Sequence, residues 1–344
     1  MERKSNFELL RIVSILMIIT IHYLLFMMDG DFSNLNKEYL NYHIVIFVES
    51  FCIIGVNLFV LISAYFMIDK KFINIKKVVL LIFNTIFYGV ILFLIGVKVG
   101  NIDFSIKKLI ASIGSSLIYN EYWFIKIYIV LFILTPFLNI SLTRISKKMY
   151  IYLLIILSLA LPVLSSFLYG TIPLDTSGGY SILHFIYLYC IGGYIKIHLK
   201  TDKKYFWLIG YIVFATITSF IATKPYPSIY TVWSYNYIFN VLSSVCLFIY
   251  FSKINIQSKI VNVISSTVLG IYLIHINRYI SPILYSQSIL YWNSNMFLLN
   301  LLETVILIFL MCFIIDLIKE FIFKKTIYKL INSIKIFNLK IGED

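Results

Sequence analysis

The chain has 344 residues, of which 60% are hydrophobic and only 13% charged, with a net charge of +13. A soluble protein of this length cannot hide that much apolar surface, so the composition excludes a water-soluble domain and points to a polytopic membrane protein. The positive charge alone would allow a nucleic-acid partner, but the placement of the basic residues argues for topology instead.

Apolar runs long enough to be candidate crossings lie at about 9–28, 43–68, 77–97, 121–140, 149–168, 181–199, 205–223, 231–251, 264–285 and 296–323. The fold expected is an all-α transmembrane bundle of ten spans, residues 1–323, followed by a basic tail, 324–344. No small-residue cleavage site follows the first run, so it is expected to be a retained span and not a signal peptide. The run at 264–285 is interrupted by His275, Asn277 and Arg278. Between the third and fourth runs, Ile106, Leu109, Ile110, Ile113 and Leu117 recur at helical spacing beside Lys107 and Lys108. That pattern predicts a helix lying on the membrane surface.

Basic residues gather at both termini and in alternate gaps, among them Lys70, Lys71, Lys76, Lys77, Arg144, Lys147, Lys148, Lys200, Lys203, Lys204, Lys253 and Lys259. The other gaps hold only Lys37, Lys98, Lys107, Lys108 and Lys224. By the positive-inside rule both termini are expected in the cytoplasm. Tyr119, Tyr122, Trp123, Tyr226, Tyr230, Trp233, Tyr291 and Trp292 fall at the opposite edges, as an interfacial aromatic belt would. Cys52, Cys190, Cys246 and Cys312 lie singly in apolar segments, which predicts buried thiols with neither disulfides nor a zinc site.

Ionisable residues at membrane depth are costly and mark cavities or pathways. In the first run Arg11 and His22 are eleven residues apart, within about 20° of whole helical turns, so they share a face about 16 Å apart along the axis. Arg11 falls near the cytoplasmic boundary and His22 in the outer half. Glu49, Lys126, His275, Arg278 and Glu303 are placed at depths comparable to His22, so together they predict a polar cavity open to the outside. Asp316, Lys319 and Glu320 are spaced for a structural ion pair near the inner surface.

A neutral histidine in such a cavity suits a general base toward a hydroxyl, with Glu49 the expected partner orienting its ring. Arginine suits phosphate through its planar fork. A phosphate-bearing donor held at the inner face and reaching up to His22 would have the shape of coenzyme A. No P-loop, GxGxxG, HExxH or GxSxG pattern occurs.

The R-x10-H of the first run resembles the signature of the acyltransferase 3 family of integral membrane acyltransferases. "GVNLFVLISAYF" (55–66), "YWFIKIYIVLFILTPFLN" (122–139), "FIYLYCIGGYIKIH" (185–198) and "LGIYLIHIN" (269–277) are similar to further family segments, in order along nearly the whole chain. The second of these resembles the branch of polysaccharide and cell-wall O-acetyltransferases.

The resemblance implies about ten helices, acyl-CoA (acetyl-CoA) as co-substrate with no bound cofactor, and a sugar hydroxyl as acceptor. It implies that Arg11 and His22 are the essential pair. Asn57, Ser63, Tyr65, Tyr122, Trp123, Asn139 and His275 match family motif positions. With Lys76, Lys77, Lys126 and Arg278, they are the expected donor- and substrate-binding residues.

Ala64 stands where glycine is common, Lys76 and Lys77 where many members have arginine, and Ile276 where an acidic residue is common. The chain leaves no room for the extracytoplasmic esterase-like domain some members carry, so transfer is expected to finish in the membrane unit or on a separate partner.

The function expected is an O-acetyltransferase acting on a cell-surface polysaccharide or its lipid-linked precursor, multi-pass in the bacterial plasma membrane, its partners the donor, the saccharide and the bilayer, with no nucleic acid. A transporter or flippase of a lipid-linked saccharide would also need many spans and buried charge. It would commonly show repeated halves or broken helices, and no repeat is evident. A non-catalytic membrane sensor or assembly factor is the other alternative.

Overall fold

A computed structural model describes residues 4–28, 32, 37–38, 40–100, 102–115, 122–167, 177–286, 294–334 and 340–341. Among them the chain is a helical bundle. Its spanning elements are α1 (Ser5–Met27), α2 (Leu40–Cys52) continued by α3 (Gly55–Met67), α4 (Ile75–Lys98), α6 (Trp123–Arg144), α7 (Lys147–Ser158) continued through a π-turn into α8 (Leu164–Phe167), α10 (Lys204–Ala222) and α16 (Phe297–Lys325).

These seven are long and apolar enough to cross a bilayer. Three more of the apolar runs form shorter helices: α9 (Ile182–His198), α12 (Ile238–Lys253), and α13 (Lys259–Ser265) with α14 (Val268–His275). The 16 residues of α12 extend about 24 Å, less than the roughly 30 Å of bilayer hydrocarbon. The remaining short elements are α5 (Ile106–Ser115), α11 (Ile229–Val232), α15 (Ser281–Leu284) and α17 (Ile327–Ser333).

What faces outward identifies the solvent. Along α16, Leu299, Leu302, Ile306, Leu307, Ile314, Ile318 and Phe321 are exposed, and α10 presents Phe206, Ile209 and Phe220. In water so large an apolar girdle would aggregate; in lipid it is the ordinary outer face of a bundle. The surface helix predicted between the third and fourth runs is α5, with Ile106, Ile110 and Ile113 exposed on one side. Leu117 and the belt residues Tyr119, Tyr291 and Trp292 lie outside the described residues.

The ninth run, read as one span over 264–285, is instead broken twice. Around Ser265–Thr267 the hydroxyls bond to nearby groups: Ser266 Oγ donates to the Val263 carbonyl (2.6 Å) and Thr267 Oγ1 to that of Ile264 (2.8 Å). Side chains that compete in this way weaken the helical ladder. Beyond His275, Asn277 turns the chain by accepting from the Tyr279 amide (3.1 Å).

α1 is the central helix, packed by α2, α3, α12, α13, α14 and α16. Both its ends are pinned. Ser5 Oγ accepts from the Ser258 amide (3.0 Å), and Asn6 Nδ2 donates to the Phe251 carbonyl (2.8 Å). At the other end Tyr23 donates to Asn300 Oδ1 (2.5 Å).

Close packing of α3 on α9 survives the alanine at 64. Gly192 supplies the missing space, since a methyl there would overlap the Ala64 side chain.

Asp316, Lys319 and Glu320 form a buried network, as their spacing predicts. The Lys319 ammonium reaches Asp316 (2.8 Å), Glu320 (2.7 Å) and Asn84 (2.8 Å), which matches its three donors with three acceptors. Tyr88 also donates to Asp316 (2.6 Å), tying α4 to α16. Two described parts of the basic tail contact the bundle. Tyr328 of α17 donates to Glu320 (2.6 Å), and a two-residue strand at Lys340–Ile341 pairs antiparallel with Ile73–Asn74.

Candidate functional site

One cavity of about 590 Å³ runs along α1 and includes both Arg11 and His22 in its wall. Arg11, Ser265 and Ser266 lie toward the basic end, the end expected to face the cytoplasm. Ile18, Val56, Phe59, Val268 and Leu269 make an apolar waist. Leu25, Phe26, Trp123, Tyr180 and Tyr235 lie toward the far end. An apolar enclosure with few polar groups is the usual construction of a ligand site.

The far end is organised by a pair of histidines. His275 closes α14 and is fully buried. Its Nδ1 lies 2.7 Å from the Ile271 carbonyl, and its Nε2 lies 3.1 Å from His22 Nδ1. A carbonyl oxygen only accepts, so His275 Nδ1 carries the hydrogen. In a neutral ring, Nε2 is then a bare acceptor. It takes the hydrogen on His22 Nδ1, and the His22 tautomer is fixed with a lone pair on Nε2. That nitrogen has no hydrogen-bond partner among the described residues, and its ring lines the cavity. Two hydrogen bonds in series, the first anchored on the Ile271 carbonyl, thus aim one basic nitrogen at the space a ligand would occupy.

Tyr122 holds His275 in place. Fully buried, it donates to the Leu273 carbonyl (3.0 Å) and accepts from Asn277 Nδ2 (2.9 Å), clamping the end of α14 to the start of α6.

At the basic end, Arg11 is about one-third exposed and already has a partner. Its Nη1 lies 3.0 Å from both Glu8 oxygens, and Glu8 Oε2 also accepts from Ser265 Oγ (2.5 Å). The pair orients the guanidinium across the cavity wall and engages only one of its nitrogens. The loop that follows α3 concentrates more positive charge. Burial, with Lys77 adjacent, lowers the pKa of Lys70.

Several expected assignments change. Glu49 is not the ring-orienting partner of His22, because His22 Nδ1 is bonded to His275. Glu49 is buried on α2 and is not in the cavity wall. Glu303 and Arg278 are exposed, so the polar cluster expected at that depth does not converge. Lys126 is half-buried and, like Lys76 and Lys77, is not in the cavity wall.

Three motif residues serve the scaffold. Asn57 Nδ2 donates to the Tyr235 carbonyl (2.9 Å) and to Ser244 (3.1 Å), and its Oδ1 accepts from His184 Nε2 (3.0 Å). Asn139 Nδ2 donates to the carbonyls of Met67 and Lys70, both at 2.7 Å, holding the end of α3. Tyr65 packs on Phe7 (4.8 Å) beneath the Lys196 ammonium (4.8 Å). Ser63 and Trp123 do line the cavity. Sequence reasoning missed Tyr180 and Tyr235, which come from irregular connections with no periodic signal.

A family model described as an acyltransferase domain matches residues 4–320. No curated protein and no solved structure gives a significant match. With nearly the whole chain inside the match and an apolar multi-helix bundle around the cavity, the protein belongs to the acyltransferase 3 family and is a membrane acyltransferase.

Proposed function

We propose that the protein transfers an acetyl group from acetyl-CoA to a hydroxyl of a cell-surface saccharide or its lipid-linked precursor, in the plasma membrane of a bacterium. Both termini would be cytoplasmic. The observation that supports this reading is that one cavity has a guanidinium toward one end and a tautomer-fixed imidazole toward the other. Their separation, about 16 Å along α1, is of the order of an extended pantetheine arm. The apolar waist suits that thin arm, and the basic end suits the phosphates of the nucleotide head.

In the proposed reaction the acceptor hydroxyl approaches His22 from the far end. His22 Nε2 takes its proton as the oxygen attacks the thioester carbonyl. The tetrahedral adduct collapses, the carbon–sulfur bond breaks, and the departing thiolate takes the proton back from His22. The products are an ester and free CoA thiol. His275 acts through His22: accepting its Nδ1 hydrogen bond keeps the basic nitrogen toward the substrates and stabilises the imidazolium as it forms.

Release of thiol from acetyl-CoA by protein in lipid nanodiscs tests this. The His275→Leu variant is expected to lose about 10–100-fold in kcat, the scale of losing an orienting partner. His275→Gln, whose side-chain carbonyl can accept the same bond, is expected to recover much of the loss, with the acetyl-CoA KM nearly constant in both. Equal losses in the two variants, or none, would remove His275 from the mechanism. Wild-type protein that never releases thiol would remove the reaction itself.

A further inference from the structure

We propose that Trp123 and Tyr180, backed by the buried Tyr235, form the platform on which a sugar ring of the acceptor stacks before its hydroxyl meets His22. The proposal rests on the saccharide acceptor of the preceding reading and names where that acceptor is held.

The three rings form one cluster. Trp123 lies 4.3 Å from Tyr180 and 5.7 Å from Tyr235, the latter nearly parallel at 27°, and the two tyrosine rings are 5.1 Å apart. All three line the cavity that His22 lines. Aromatic residues of a membrane belt face the headgroups; these face inward and stack on one another.

Their chemistry selects the ligand. A pyranose carries a face of C–H bonds edged by hydroxyls. Aromatic side chains match it, with a broad apolar face and, in tyrosine, a polar tip. An acyl chain would be served as well by leucine or isoleucine, which have no such tip. Tyr180 lines the cavity and is half exposed, whereas Tyr235 is only 5% exposed. Tyr180 therefore offers accessible surface to a ligand, while Tyr235 serves as its backing.

The platform is rigid, as a recognition surface needs to be. Tyr180 and Tyr235 come from separate connections locked by backbone contacts. The Tyr235 amide donates to the Gly178 carbonyl (2.9 Å), and the Tyr235 carbonyl accepts from buried Asn57 (2.9 Å). Gly179, with φ of 92°, sits against the Tyr235 Cβ, where any side chain would collide.

Calorimetric titration of the full chain in nanodiscs tests this, with malto- and chito-oligosaccharides as one set of probes and CoA as the other. The Tyr180→Ala variant is expected to bind the saccharide about tenfold or more weakly, with CoA affinity within about twofold of wild type. Tyr180→Phe, which keeps the ring and loses only the polar tip, is expected to lose clearly less saccharide affinity than Tyr180→Ala. Trp123→Leu provides a second reading of the same kind. Unchanged saccharide affinity in Tyr180→Ala and Trp123→Leu would overturn the proposal. So would equal loss of saccharide and CoA binding, or wild-type protein that binds none of the saccharides. Saccharide binding through Tyr180 in a wild-type protein that releases no thiol from acetyl-CoA would leave the platform standing and remove only the acyl transfer.

Discussion

The His22→Ala variant is expected to lose acyl transfer by about 10²–10⁴-fold, the contribution of a well-placed general base. The loss should fall on kcat, because alanine removes the nitrogen that accepts the hydroxyl proton and leaves the waist and basic end of the cavity intact. CoA affinity, measured by titration, should therefore stay close to wild type. The imidazole is half-buried at the cavity wall, so its removal opens space already accessible to ligand instead of a sealed void in the core. If the variant keeps more than about a tenth of wild-type kcat, His22 is not the base.

The second large effect is on stability. Lys319→Met is expected to destabilise the protein by about 3–5 kcal/mol, the scale of breaking a buried ion pair from one side. The methionine fills the volume, so the cost is electrostatic. Asp316, 1% exposed, would keep only Tyr88 of its two partners from neighbouring side chains, and Glu320 would lose its ammonium. Asp316→Asn in the same chain should recover part of the loss, since it removes the carboxylate left without its counter-ion. Thermal unfolding in detergent measures both. A double variant no more stable than Lys319→Met would show that the network is held by packing and not by charge.

The helices and their solvent were legible in the sequence because bilayer spans are long and apolar, and α5 because its isoleucines repeat at helical spacing. The shared cavity of Arg11 and His22 was legible for the same reason: both residues lie on one continuous helix, where spacing fixes direction. Between helices that logic fails. Depth along a span can be read from the chain, but rotation about the helix axis is set by packing. Glu49, Glu303 and His275 were therefore placed at similar depths, yet only His275 reaches His22, while Glu303 faces outward.

Motif membership was equally silent about role. Asn57, Asn139 and Tyr122 resemble binding residues by position, but their hydrogen bonds go to backbone carbonyls and neighbouring side chains. In a low-dielectric interior such groups are needed to anchor helix ends that water cannot reach. Tyr180 and Tyr235 could not be seen at all, since nothing local marks two residues from separate connections whose rings meet only in the folded chain, where Gly178 and Asn57 hold the Tyr235 backbone.

The central claim is that one cavity holds the donor lengthwise, phosphates toward Arg11 and reactive carbonyl at His22. A structure with a non-hydrolysable thioether analogue of acetyl-CoA tests it most directly. The account predicts the diphosphate at the basic end, the arm along the Ile18–Phe59 waist, and the acetyl carbonyl beside His22 Nε2. An analogue bound outside this cavity, or with its acetyl group at the Arg11 end, would contradict it.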